Sequence, residues 1–139
     1  MPTFAGNLDA LEPTRAYVTD VAEGAGLGST AAFDLALAVD EIATNIVLHG
    51  YEEAGASGDI TVDASVADGA LTVAVTDSSA GYEPDRVPFD ETVLRKPLAE
   101  RAPGGLGLFL ARQGVDELRY VRGDGCNVHE LVVRLGENR

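Results

Sequence analysis

A chain of 139 residues with 45% hydrophobic content is long enough for one domain around a real core and too short for two. Its 23 acidic against 10 basic residues give a formal charge of −13, which sets the surface against nucleic-acid phosphates and anionic membranes. Any bound nucleotide must then be held by backbone amides and a cation, not by a basic patch. Cys126 stands alone, which excludes a disulfide framework and a cysteine-based metal cluster. The opening residues show no basic start before a long apolar run, and no apolar stretch approaches ~20 residues, so the expectation is a soluble, cytoplasmic domain over 1–139.

In chain order, Leu8 to about Ala25 reads as a first helix with a loose apolar face of Leu11, Tyr17, Val18 and Val21, ended by Gly24 and Gly26. Ser29 or Thr30 caps a second helix running to about Leu48 and closed by Gly50. Residues 51–58 read as a polar connector. Two strands follow, about Asp59–Ala67 and Ala70–Thr76, whose alternating apolar residues flank an Asp68-Gly69 turn, a strong hairpin signal. From Asp77 to Pro103 periodicity stops, and Pro84, Pro88, Pro97 and Pro103 mark a long irregular segment of the kind that often serves as a lid. A helix from about Leu106 to Gly114 and strands near Glu117–Arg122 and Val128–Leu135, joined by Gly123-Asp124-Gly125, complete the chain. This order implies an α+β fold: a two-layer α/β sandwich, its mixed, mostly antiparallel sheet covered on one face by helices.

Three segments carry residues with chemical potential. On the second helix Leu35, Val39, Ile42 and Ile46 form a core-facing line at 100° per residue, with Glu41 and Asn45 on its flank, one turn apart. Such a pair is ordinarily a solvated helix face. Its functional use is specific: an amide oxygen from Asn45 with nucleotide phosphates and waters suffices for Mg²⁺, and Glu41 could activate a hydroxyl or water against a γ-phosphate. Asp40 lies 100° further round, expected in solvent, and His49 at the helix end is the kind of residue that caps carbonyls or packs. Asp77 leaves an apolar strand, where an aspartate ordinarily starts a turn. Its functional use is as acceptor for an exocyclic amino group such as adenine offers, with Gly81 permitting close backbone approach. Gly104, Gly105, Leu106 and Gly107 open a helix and can present bare N–H groups to phosphates. No Lys-Ser/Thr follows them and no strand precedes them, so this is neither a Walker A loop nor a dinucleotide fingerprint.

The runs DEIATNIVLHGY, VTDSSAGYEP and PGGLGLFLARQGVDELRY, in this order and spacing, resemble the anti-sigma factor serine kinases of the histidine-kinase-like ATPase superfamily, which have the Bergerat ATP-binding fold. The resemblance implies Glu41 as catalytic base, Asn45 as Mg²⁺ ligand, Asp77 as adenine reader, and Gly104, Gly105 and Gly107 beside the phosphates. It also implies ATP and Mg²⁺ as cofactors, an anti-sigma antagonist as protein substrate, a sigma factor as sequestered partner, and a homodimer. One departure stands out. The family pattern is Asp-x-Gly, and Ser79 occupies the glycine position, where a positive φ would cost of order 1 kcal/mol or more. The alternative reading is therefore a non-catalytic anti-sigma or regulatory binding module. A detached histidine-kinase catalytic domain is less suited, since His49 and His129 lie on the site helix and inside a strand.

Overall fold

A computed structural model describes residues 2–52, 55–79, 115–123 and 125–136. Among these, a sheet of five strands carries the chain: β1 (Thr3–Ala5), β2 (Asp59–Ala67), β3 (Ala70–Asp77), β4 (Glu117–Gly123) and β5 (Cys126–Arg134). Their order is β1-β2-β3-β5-β4, and each of the pairings is antiparallel. The expected mixed sheet is thus antiparallel wherever it is described. β1 carries too few residues to show a period, and it adds to the edge of β2 through Phe4 opposite Ile60.

One sheet face is apolar because β2, β3 and β5 alternate with period two. Ile60 and Val62, then Leu71, Val73 and Val75, then Leu131 and Val133 are all buried on it. The β2–β3 hairpin turns at Asp68, with φ of 53°, and Gly69, with φ of 73°. These are the left-handed positions that a primed turn demands.

The helices α1 (Leu11–Gly24) and α2 (Ser29–Asn45) cover that face. A 3₁₀ turn, Leu8–Ala10, precedes α1, so the expected single helix from Leu8 is divided. Pro13 lies within the first α-helical turn, where its missing N–H costs nothing. Val18 and Ala22 of α1 are buried against α2. The predicted line of Leu35, Val39 and Ile42 on α2, continued by Ile46 just after it, is fully buried, each residue at 0% exposure. Gly28, not Ser29 or Thr30, is the N-cap, and no side chain caps the helix there.

The end of α2 departs most from expectation. The chain does not stop near Gly50 but widens into a π-helical segment, Ile46–Glu52. Just before the switch, the Thr44 hydroxyl donates to the Asp40 carbonyl at 2.7 Å, a back-bond of the kind that bends helices. Gly50 is needed for proximity, not termination: a Cβ there would lie 2.6 Å from Ser79 Oγ and 2.8 Å from Ser79 Cβ. No described helix is long and apolar enough to cross a membrane.

Candidate functional site

Asn45 is the last residue of α2 before the π-helical segment, and Glu41 lies one turn earlier on the same flank. Wide π turns re-aim side chains and recur at functional sites. Asn45 is deeper than the helix edge predicted for it, only 3% exposed, and its Nδ2 has no hydrogen-bond partner among the described residues. A buried amide left uncommitted costs about 1–3 kcal/mol, so it calls for a partner. Glu41 is half-buried, and burial pushes its carboxyl above the ordinary glutamate value, with the neighbouring Asp40 charge adding to the rise. Asp40 itself is not the solvated residue expected. It is half-buried and paired with Arg15 at 3.3 Å, and burial raises its carboxyl above the ordinary aspartate value despite the Arg15 charge.

Asp77 closes β3 on the covered face of the sheet and is 3% exposed. The apolar rows of that face end here in polar ones: Asp77 pairs across strands with Asn127, and Val75 with His129. Both Asn127 and His129 are fully buried. Asp77 Oδ1 accepts from the Ser79 backbone N–H at 2.8 Å, from the Ser79 hydroxyl, and from Asn127 Nδ2 at 2.9 Å. Oδ2 accepts no hydrogen bond among the described residues and faces His129 Nε2 at 3.6 Å. Burial alone would raise the Asp77 carboxyl. The imidazole of His129 and the donors from Ser79 and Asn127 outweigh burial and hold it below the usual aspartate value. The group therefore stays an anion, with Oδ1 tied by three donors and Oδ2 facing the His129 imidazole.

Asn127 organises this end of the sheet. Its Nδ2 also reaches the Ser79 carbonyl at 2.8 Å, while its Oδ1 accepts from Tyr120 and from Arg122 Nη1, each at 2.6 Å. Arg122 adds a bond to the Ser79 carbonyl at 3.1 Å. Ser79 is thus held through its N–H, hydroxyl and carbonyl. Its backbone is also relaxed, since Asp68 is the sole non-glycine with positive φ among the described residues. The strain that a serine in the glycine position would carry is absent.

Tyr51 joins the two halves of the site. Its hydroxyl accepts from the Ser78 N–H at 3.0 Å and donates to the Asp59 carbonyl at 2.9 Å. A Cβ on Gly58 or Gly6 would fall 2.6 or 2.7 Å from atoms of its ring. The π-helical segment is so pinned to the strand ends that carry Asp77 and Ser79. The structure brings Asn45, at the head of that segment, and Asp77 to the covered side of the sheet. Gly81, Gly104, Gly105, Leu106 and Gly107 lie outside the described residues, as does the expected lid, 82–103. Nothing in the sequence singled out Asn127, Tyr51 or Arg122 for this site. The only available signal was polarity at strand positions whose period assigns them to the core, as with Asn127 and His129 on β5.

The model of the histidine kinase-like ATPase domain matches residues 4–133. Serine-protein kinase RsbW of Bacillus cereus is 28% identical over 100 residues, covering 68% of this chain and 59% of that protein. Anti-sigma F factor of Clostridium acetobutylicum is 31% identical over 86 residues, covering 62% of this chain and 57% of that protein. The chain thus matches under two thirds of the length of either relative. In fold it resembles the RsbU and RsbW domains of a Mycobacterium tuberculosis protein, with a TM-score of 0.64 at 24% identity over 97% of this chain and 33% of that one. A histidine kinase domain from Erythrobacter litoralis gives 0.55 at 21% identity, covering 91% of this chain and 60% of that one. With a family model spanning nearly its whole length, the chain belongs to the histidine kinase-like ATPase domain family.

Proposed function

We propose that residues 1–139 form one Mg-ATP-binding domain that works as an anti-sigma serine kinase, phosphorylating an anti-sigma antagonist and sequestering a sigma factor as a homodimer. The observation that carries this reading is the buried anion Asp77, with Oδ1 tied by Ser79 and Asn127 and Oδ2 facing His129, together with the buried Asn45, whose amide nitrogen has no partner among the described residues. The kinase and anti-sigma roles are supported by the relatives named serine-protein kinase RsbW and anti-sigma F factor.

Each residue has a definable task. Asp77 Oδ2 accepts from the adenine amino group. Asn45 fits Mg²⁺, because a hard cation that keeps several waters needs only one neutral protein oxygen when phosphates supply the rest. No described cluster of three acidic, histidine or cysteine side chains offers an alternative seat. The cation would neutralise phosphate charge at the transferring group. Glu41 takes the proton of the attacking serine hydroxyl as its oxygen bonds the γ-phosphorus and ADP leaves. Burial suits Glu41 to this, since a base raised above the ordinary carboxylate range holds a proton better.

The test is direct. Incubated with Mg-ATP and a cognate antagonist domain, the protein yields phosphoserine, and Glu41→Gln lowers the rate by about 10²–10⁴-fold while leaving ATP affinity within about threefold. Phosphoserine formation at an undiminished rate by Glu41→Gln would overturn the assignment of the base. ATP binding with no phosphoserine formed would favour the non-catalytic regulatory module.

A further inference from the structure

The arrangement around Asp77 bears on which purine the site accepts, and this rests on Asp77 as the base reader. An aspartate captures guanine through two parallel hydrogen bonds, N1–H to one oxygen and the 2-amino group to the other, whereas adenine needs one acceptor for its 6-amino group. Here three donors already converge on Oδ1: the Ser79 N–H, the Ser79 hydroxyl and Asn127 Nδ2. A carboxylate oxygen offers about two lone-pair sites, so Oδ1 is full. Oδ2 is buried and faces the His129 imidazole at 3.6 Å, which leaves it one lone-pair site for a single donor of a ligand. Asn127 is fixed in the required orientation, because Tyr120 and Arg122 donate to its Oδ1 and leave its amide nitrogen toward Asp77.

We infer that Ser79 and Asn127 are the specificity-determining residues that restrict this site to adenine, by filling Asp77 Oδ1 and denying guanine its second acceptor. Ser79 adds a donor that a glycine in the same position lacks. The lone-pair arithmetic makes the prediction non-additive. Removing either side chain's donor leaves two on Oδ1, and the oxygen stays closed. Removing both leaves only the backbone N–H, and the oxygen opens.

The experiment is calorimetric titration of the full chain with Mg-ATP, Mg-GTP, Mg-ITP and the Mg complex of N6,N6-dimethyl-ATP. The wild type should prefer ATP over GTP by about 100-fold or more, because a buried polar site rejects a base that leaves it unpaired. Ser79→Gly and Asn127→Ala alone should keep that ratio within about threefold, while the double variant should lower it at least about tenfold through tighter GTP binding. An unchanged ratio in a double variant that melts cooperatively and still binds ATP would overturn the inference. Should the double variant not fold, the wild type decides. ITP offers N1–H but no 2-amino group and asks for one acceptor only, so it should bind about tenfold more tightly than GTP. ITP no tighter than GTP would contradict the inference. Dimethyl-ATP, which has no N6 hydrogen, should bind poorly. If it binds as well as ATP, the Asp77 reading itself falls, and this inference falls with it.

Discussion

At the scale of single residues, two carboxylates are pushed in opposite directions by what surrounds them. Asp77 is held below its ordinary value of 3.8. A depressed folded value means that its contribution to stability is present above that ordinary value and is lost as pH falls through the folded one. Asp77→Asn should therefore flatten the acid side of the stability curve below pH 3.8, as measured by urea unfolding at a series of pH values. The asparagine can keep an acceptor oxygen toward Ser79 and Asn127, but it then turns an N–H₂ toward the base. ATP affinity should fall about 10–100-fold while the fold persists. Glu41 is raised above its ordinary value of 4.5, chiefly by burial. As the proposed base it must be ionised to accept a proton, so the acid limb of the kcat profile should lie above pH 4.5 and disappear in Glu41→Gln.

At the scale of elements, the π-helical segment Ile46–Glu52 links α2 to the strand ends. Gly50 and Ser79 share one packing contact there, which predicts a coupling. Gly50→Ala should destabilise by about 1–3 kcal/mol through the clash with Ser79, and in the Ser79→Gly background most of that cost should vanish. Equal costs in both backgrounds, from chemical denaturation, would refute the contact. Tyr51→Phe should cost about 1–2 kcal/mol by stranding the Ser78 N–H and the Asp59 carbonyl. It should also weaken ATP binding, because Ser78 lies between Asp77 and Ser79. The amphipathic line of α2 and the Asp68-Gly69 hairpin were legible because each follows from a single local period or turn rule. The π turn was not, since Gly50 reads locally as a helix stop and its role depends on Ser79, remote in sequence. The network on Asn127 was hidden for the same reason: its partners come from β3 and β4.

At the scale of the molecule, a formal charge of −13 shapes how partners arrive. A basic partner surface, such as a sigma factor would use toward nucleic acid, should associate faster at low salt. Raising ionic strength from about 0.05 to 0.5 M should slow association about tenfold or more while changing dissociation little. Stopped-flow rates that do not respond to salt would count against a charge-complementary partner. The layered fold was readable from the order of periodic segments, because two helices and alternating strands admit few ways to bury their apolar faces. The proposed pairing of Asn45 with Asp77 in one nucleotide site depends on the whole fold, since the two residues come from α2 and from the end of β3. Titration of ATP with and without Mg²⁺, on wild type and Asn45→Ala, tests that juncture most directly. Mg²⁺ should tighten ATP binding to the wild type about tenfold or more and have little effect on Asn45→Ala, while equal Mg²⁺ dependence in both proteins would contradict the site.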